Sequence, residues 1–409
     1  MPIQRYDVVI SGASLTGMAL ALALRAASRD GLSIAILDRE PAAARPADVR
    51  GFAISAASVH LLSAIGVWPA VAADAQPVAR IDITGSKLES PARQTLLSYE
   101  NETSEGEVAS HILPADTLRT TLRQVLMASA IAVIPGSTPS GLETSADGIH
   151  IARGNDAAIV ARLAVAADGR DSPVRNLAGI KMVSWAYPQT AIVTTVTHGE
   201  PHHGVATQHF LEAGPFAILP LPGGHRSSLV WTEATAEAER LMQRPDAEFL
   251  TALEQRFGGR LGQLALADAR VSQPLELHLA RDLVADRLAV IGDAARSVHP
   301  IAGQGLNLGL RDVAALTECV IDTERLGLDI GGPETLRRYQ QWRRFDSMLS
   351  AATMDGLNRL FSNANPALRV LRETGLGLTD RLPGLKRMFV SEAAGLTGTL
   401  PKLLQGELP

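Results

Sequence analysis

Two glycines five residues apart, followed by an acid some 20 residues on, are the first positions whose types and spacing point to chemistry. Gly12-Ala13-Ser14-Leu15-Thr16-Gly17 lies between the apolar run Asp7-Val8-Val9-Ile10 and a stretch of helical composition, and Asp38 closes a second apolar run. Strand, glycine turn, helix, strand and acid at this spacing is the fingerprint of a dinucleotide site. Gly12 permits the tight turn and Gly17 lets the helix lie close on the sheet. The first helical residues, Leu15 and Thr16, offer unpaired N–H groups and the positive end of the helix dipole to a pyrophosphate. Asp38 can accept hydrogen bonds from a ribose. Ser14 stands where the fingerprint has its second glycine.

Further along, Ala167-Asp168-Gly169-Arg170, with Ser172 and Arg175, forms an acid–glycine corner after an apolar run. By itself this is an ordinary turn signal. A third run is more specific: Ile291-Gly292-Asp293-Ala294-Ala295-Arg296, then His299-Pro300-Ile301-Ala302-Gly303-Gln304-Gly305-Leu306-Asn307-Leu308-Gly309-Leu310-Arg311-Asp312. A strand ends on Gly-Asp, and a glycine-rich turn opens a long apolar helix. Asp293 can hold a sugar-like chain, Gly303 and Gly305 let backbone approach a flat ring, and the helix N-terminus favours negative charge there. His209 and His299 are the side chains best suited to change protonation near neutral pH.

These residues need a frame. The runs ending at Asp38, Ala166 and Ile291 have the texture of buried parallel strands, and 54–65, 118–130 and 306–323 the spacing of helices. Between Ala191 and Trp231 apolar and polar residues alternate, which predicts antiparallel sheet covered on one face. Pro41 to Asp48 reads as a loop. Thr335 to Phe361 reads as an arginine-rich helix, and Asn365-Pro366 as a further helix start. Parallel texture interrupted and then resumed predicts discontinuous domains. The expected division is 1–78, 111–182 and 281–345 for the nucleotide-binding part, 79–110 and 183–280 for the sheet part, and 346–409 for a C-terminal helical region. The fold class expected is α/β: a Rossmann-like two-dinucleotide-binding domain interleaved with an antiparallel-sheet domain, plus that helical segment.

Bulk properties narrow the function. A formal net charge of −5 gives no basic field for nucleic acid, and the lone Cys319 allows neither an intrachain disulfide nor a cysteine metal site. No apolar run approaches the roughly 20 residues that span a bilayer, and no signal-like core follows Met1. A cytoplasmic protein without a bound metal is expected.

In order and spacing, the three motifs resemble group A flavoprotein monooxygenases of the para-hydroxybenzoate hydroxylase fold. More narrowly, His299 to Asp312, Phe210 to Leu221 with Leu229-Val230-Trp231, and the tail from Gly375 to Pro401 are similar to the ubiquinone-biosynthesis hydroxylases. The resemblance implies FAD as cofactor, NAD(P)H as a transient donor without a Rossmann domain of its own, and O₂ adding to the reduced flavin to give a C4a-hydroperoxide. It implies a polyprenylated phenol as substrate, with contacts to other ubiquinone-biosynthesis proteins and to the face of the inner membrane. At matching positions, Gly12, Ser14, Leu15, Thr16 and Gly17 face the ADP portion, Asp38 the ribose and Arg39 the adenine, while Arg50 lies along the FAD. Asp168 supports FAD and donor access, Gly292 and Asp293 the ribityl chain, and Pro300, Gly303, Gln304, Gly305, Leu306 and Asn307 the isoalloxazine edge. His299 and Pro300 stand beside the reacting ring. His209, Phe216, Leu219 and Trp231 lie on the sheet expected to roof it, with His209 also a candidate base. Ser14, Ala115, Arg296 and the pair Gln208-His209 depart from the family pattern. Two other readings keep the fold: a hydroxylase of small soluble or polyketide aromatics, and an accessory scaffold with weak FAD binding.

Overall fold

In the computed structural model, residues 3–29, 31–39, 48–85, 94–362 and 383–409 are described. Most of the expected 41–48 loop and the helix start at Asn365-Pro366 lie outside them.

The chain opens with β1 (Gln4–Ser11), α1 (Leu15–Ser28) and β2 (Ile34–Asp38), whose strands pair in parallel with Val8 opposite Ile34. Every residue of β2 is buried, as a strand covered on both faces must be. β3 (Gly51–Ser55) crosses to pair antiparallel with a later strand; β4 (Arg80–Gly85) and β5 (Gln94–Glu100) then form a hairpin in a different sheet. β6 (Ser110–Pro114), the partner of β3, leads into α2 (Ala115–Met127), β7 (Ala132–Pro135) and, after a hairpin, β8 (Asp156–Ala166).

Four long strands follow: β9 (Met182–His198), β10 (Val205–Leu211), β11 (Gly214–Leu221) and β12 (Arg226–Ala234). The helices α3 (Thr235–Gln243) and α4 (Asp246–Phe257) then cover one side of this sheet, and β13 (Val271–Ala280) joins its edge. The chain returns to the first sheet with β14 (Leu288–Val290). Beyond it the described residues form the helices α5 (Gly305–Arg325), α6 (Pro333–Phe361) and α7 (Pro383–Ala394).

The first sheet has a parallel centre in the order β14-β8-β1-β2-β7. β1 therefore has a parallel neighbour on each side, and its C-terminal end opens a crevice of the kind in which ligands bind in open α/β sheets. The second sheet runs β13-β9-β12-β11-β10-β4-β5, antiparallel except where β10 meets β4. The fold is thus the expected α/β arrangement: a two-dinucleotide-binding domain interleaved with an antiparallel-sheet domain, followed by C-terminal helices. Two apolar cores match it. One joins β1, β2, β8 and β14 to α1 and α5; the other joins β9, β11 and β12 to α3 and α4. Among the described residues no single helix is long and apolar enough to cross a membrane.

Candidate functional site

The first glycine turn leaves no room for a side chain. Gly12 has φ +106°, and a Cβ there would lie 2.5 Å from the Ala167 carbonyl oxygen. At Gly17 a Cβ would lie 2.1 Å from the Gly12 carbonyl oxygen. Ser14 needs no glycine conformation: its φ is −75° and ψ 171°, and its Oγ accepts from the Gly17 N–H as the N-cap of α1. The departure at this position is therefore a capping residue. Asp38, 1% exposed, ends β2 with Arg123 of α2 3.6 Å away, a cation no sequence motif announced. Arg39 follows at the surface.

Thr16 joins the first motif to the third. A Cβ on Gly292 would meet its Oγ1 at 2.7 Å and one on Gly309 its Cγ2 at 2.5 Å, so both glycines are required for α1 and α5 to meet. Asp168 lies at the same strand ends, its Oδ2 accepting from Ser11 Oγ and from the Val174 N–H. Burial raises its carboxyl against these hydrogen bonds.

Asp293 is open to solvent and yet surrounded by protein mass, the situation of a residue on a cleft floor. The surrounding protein raises its carboxyl, opposed by the charges of Arg50, Arg296 and Arg170. Arg50, the expected cofactor arginine, is half exposed and bound by two hydrogen bonds, 2.8 and 2.6 Å, to Asp48. Arg296 is no cleft residue. It is 3% exposed and pairs with Asp312, which also holds Arg343 and the Gly292 N–H. This buried network fixes the turn that presents Asp293. Ala115 is also buried, at the start of α2, with its N–H on the Arg50 carbonyl.

Around the next turn, Gly303 (φ +62°), Gln304 and Leu306 are partly exposed and Gly305 is exposed; a Cβ on Gly303 would meet Ala53 at 3.1 Å, while one on Gly305 would meet nothing within 4 Å. Asn307 corrects the expected edge. Its Oδ1 accepts from the Ser55 N–H and Ser58 Oγ, and its Nδ2 donates to the Ala53 carbonyl, so its side-chain amide holds β3 and the helix after it against α5. His299, 1% exposed, has no hydrogen-bond partner at either ring nitrogen among the described residues. Burial pushes its pKa down to about 4, against the opposing charge of Asp355. Tyr187 of β9 stands edge-on to it at 5.4 Å and donates to Asp355 of α6.

Strand alternation divides the expected substrate residues. Phe216 and Trp231 point toward α3 and α4, inside an aromatic cluster with Phe249 and Phe257. His209 points the same way, its Nδ1 on Thr84 Oγ1 and its Nε2 3.3 Å from the Phe257 carbonyl. These three are core residues on the far face, and His209 is removed as a base because its ring is satisfied there. Leu219 faces the other way, with Ala53 and Ile112. That face also has Gln208 and Phe210, the latter stacked at 3.9 Å on Phe361 of α6. Sequence reading missed Tyr187, since a register shift in β9 between Ala186 and Thr190 hides which residues share a face, and Asp355 and Phe361, which reach this sheet from α6 through tertiary packing.

The residues suit an FAD: a glycine turn closed to any Cβ, a buried acid at the end of β2, an acid on a cleft floor and an open glycine edge before a 21-residue helix. Among the described residues no cluster of His, Cys, Asp or Glu could hold a metal ion.

Comparison with known proteins gives a consistent picture. Residues 5–345 match the family described as FAD binding domain. The chain is 39% identical to the ubiquinone hydroxylase UbiL of Rhodospirillum rubrum, over 98% of this chain and 92% of that protein. It is 33% identical to the 3-demethoxyubiquinol 3-hydroxylase of Escherichia coli, over 97% of this chain and all of that one. Among solved structures, p-nitrophenol 4-monooxygenase of Pseudomonas putida superimposes with a TM-score of 0.80 at 17% identity, covering 97% of this chain and 99% of that chain; this is a likeness of fold.

Proposed function

Because the chain belongs to the FAD binding domain family of flavoprotein monooxygenases, as an FAD-dependent aromatic-ring hydroxylase akin to those of ubiquinone biosynthesis, we propose that it hydroxylates a polyprenylated phenol. The observation that carries the substrate class is the 39% identity, over nearly the whole chain, to a ubiquinone hydroxylase. In the balanced reaction NAD(P)H supplies two electrons, one atom of O₂ replaces a ring hydrogen as hydroxyl, and the other leaves as water.

Bound FAD supplies electron transfer and oxygen activation; the protein supplies position and a dry site. The N–H groups at Leu15 and Thr16, with Gly12, Ser14 and Gly17, would hold the pyrophosphate. Asp38 would take the ribose with Arg39 beside the adenine, Asp293 the ribityl hydroxyls, and Arg50 the length of the cofactor. Asp168 would steady the strand ends beside it. Pro300, Gly303, Gln304, Gly305 and Leu306 would border the flat ring, with the N-terminus of α5 favouring negative charge on it. Leu219, Phe210 and Phe361 would exclude water. A neutral His299 would hydrogen-bond the substrate hydroxyl, offering one nitrogen as donor and the other as acceptor. In this assignment 1–78, 111–182 and 281–345 bind the cofactor, 79–110 and 183–280 the substrate, and 346–409 forms the C-terminal helical region. The enzyme would work at the face of the inner membrane, where a prenylated substrate resides.

Purified protein incubated with a prenylated phenol, NADH or NADPH and ¹⁸O₂ tests this. Incorporation of one labelled oxygen into the ring is expected. Reductant consumed with no labelled ring product from any prenylated phenol would refute it.

A further inference from the structure

The helix-covered face of the second sheet holds a cavity of its own, about 290 Å³, beside the first residues of β10. β10 alternates, so Val205, Thr207 and His209 line this cavity while Gln208 and Phe210 lie on the cofactor side. The sheet thus stands between the cavity and the flavin cleft. Val205 and Ile218 of the sheet, Phe257 at the end of α4 and Leu261 beyond it make apolar walls. Two imidazoles in the lining are already engaged. His202 meets the Leu221 carbonyl and the Gly204 N–H, and His209 meets Thr84 and the Phe257 carbonyl. The Thr207 hydroxyl is different: no described residue bonds it, and it belongs to a residue only 7% exposed.

The mouth is charged. Glu200, His203 and Arg260 stand there exposed, and the Glu200 N–H donates to the Leu261 carbonyl at 2.9 Å, which holds the segment of the carboxylate beside that of the arginine. Arg260 keeps an excess of positive charge, because its partner Asp82, at 2.8 Å, is shared with Arg80 at 3.0 Å. Glu200 has no ion-pair partner among the described residues. One anion and one cation therefore stand in front of an apolar chamber, and few ligands match that. A phosphate group would face Glu200, a hydrocarbon chain would leave both charges unmatched, and a simple aromatic acid would satisfy the arginine alone. An α-amino acid satisfies both, with its carboxylate on Arg260 and its ammonium on Glu200. The chamber has the volume of about ten waters, enough for an aromatic side chain, and the Phe257 ring offers it an edge or a face. A hydroxyl on that side chain would meet Thr207.

We infer that this cavity is a binding site for a free aromatic amino acid, tyrosine fitting best. With the sheet between it and the flavin, the occupant is a ligand and not a substrate.

The test titrates the FAD-loaded enzyme with L-tyrosine in a calorimeter, then with tyramine and para-hydroxyphenylpropionate, which lack the carboxylate and the ammonium in turn. Saturable binding of one tyrosine per chain is expected, with each analogue at least about tenfold weaker, the worth of one charge-assisted hydrogen bond. Glu200→Gln and Arg260→Gln should each weaken tyrosine binding by about tenfold or more. Thr207→Val should weaken tyrosine severalfold and leave L-phenylalanine unchanged. Flavin content and melting temperature report whether each variant is folded, and if Arg260→Gln is not, because Asp82 loses a partner, Glu200→Gln decides. No binding below about 5 mM, a tyrosine held no tighter than its analogues, or binding that the variants at the mouth leave unchanged overturns the inference. So does tyrosine binding that shifts the flavin absorption bands, since that ligand would sit in the cleft. The outcome is independent of the reaction proposed above, which the labelled-oxygen experiment tests.

Discussion

At position 12 the hydrogen of glycine is all that the space allows. A methyl group there meets the Ala167 carbonyl at 2.5 Å in a conformation that L-residues avoid, while the same substitution at Gly305 meets nothing. Gly12→Ala should therefore weaken FAD binding at least tenfold, measured by recovery of flavin fluorescence on dilution, and Gly305→Ala should change it far less. Equal effects would mean that the first turn does not approach the cofactor. His299 gives a pH prediction with a definite sign. Its pKa is near 4 in the folded protein and about 6.5 when unfolded, so between these values the unfolded chain binds the proton first. The stability tied to its neutral form is complete above pH 6.5 and is lost as pH falls toward 4, by up to about 3 kcal/mol. Urea unfolding at pH 7.5 and pH 4.5 should show wild type losing more stability across that interval than His299→Leu. A difference between the two proteins that does not vary with pH would contradict the buried, unpaired imidazole.

Among the elements, strands and helices were legible in the sequence and their faces were not. The apolar runs at Val8–Ile10, Ile34–Leu37 and Leu288–Ile291 could be nothing but strands buried on both sides, and the glycine spacings placed the turns between them and their helices. For β10, β11 and β12 the alternation was equally plain, but it cannot say which set of side chains meets the cofactor. That depends on where α3 and α4 pack, a tertiary choice, and it is why Phe216, Trp231 and His209 fell on the covered face. Asn307 was misread for a related reason, since its three partners come from β3 and the helix after it, some 250 residues away. The two faces predict different consequences. Trp231→Ala should cost about 3–5 kcal/mol of stability, read by denaturant melts, while the protein that remains folded keeps its KM. Leu219→Ala, on the cofactor side, should raise KM severalfold with a smaller loss of stability. If the loss of stability fell on Leu219 and the KM change on Trp231, the faces would be reversed.

For the whole molecule, α6 divides inside from outside. Its inner side holds the second sheet through Asp355, Asn358 and Phe361, while its outer side shows Phe345, Met348 and Leu349 at 74, 53 and 53% exposure. Arg344 and Arg359 stand exposed at either end of that outer stretch. The acids between them are paired, Asp346 with Arg311 and Arg343, and Asp355 with Tyr187 and with Arg359 itself at 2.9 Å. The exposed apolar patch of Phe345, Met348 and Leu349 beside the exposed Arg344 would suit the surface of an anionic bilayer, with the aliphatic and aromatic groups in the acyl boundary and the guanidinium group at the phosphates. A prenylated substrate resting in that bilayer would meet the enzyme along the helix whose other side lines the site. The expected result is co-sedimentation with phosphatidylglycerol vesicles that weakens with salt and is much lower with neutral phosphatidylcholine. Phe345→Glu combined with Leu349→Glu should reduce vesicle binding about tenfold or more while flavin content stays at the wild-type level, because neither side chain touches the cleft. Binding that survives this double substitution would mean that another surface meets the lipid. Loss of flavin along with binding would mean that the outer strip of α6 is needed for the fold itself.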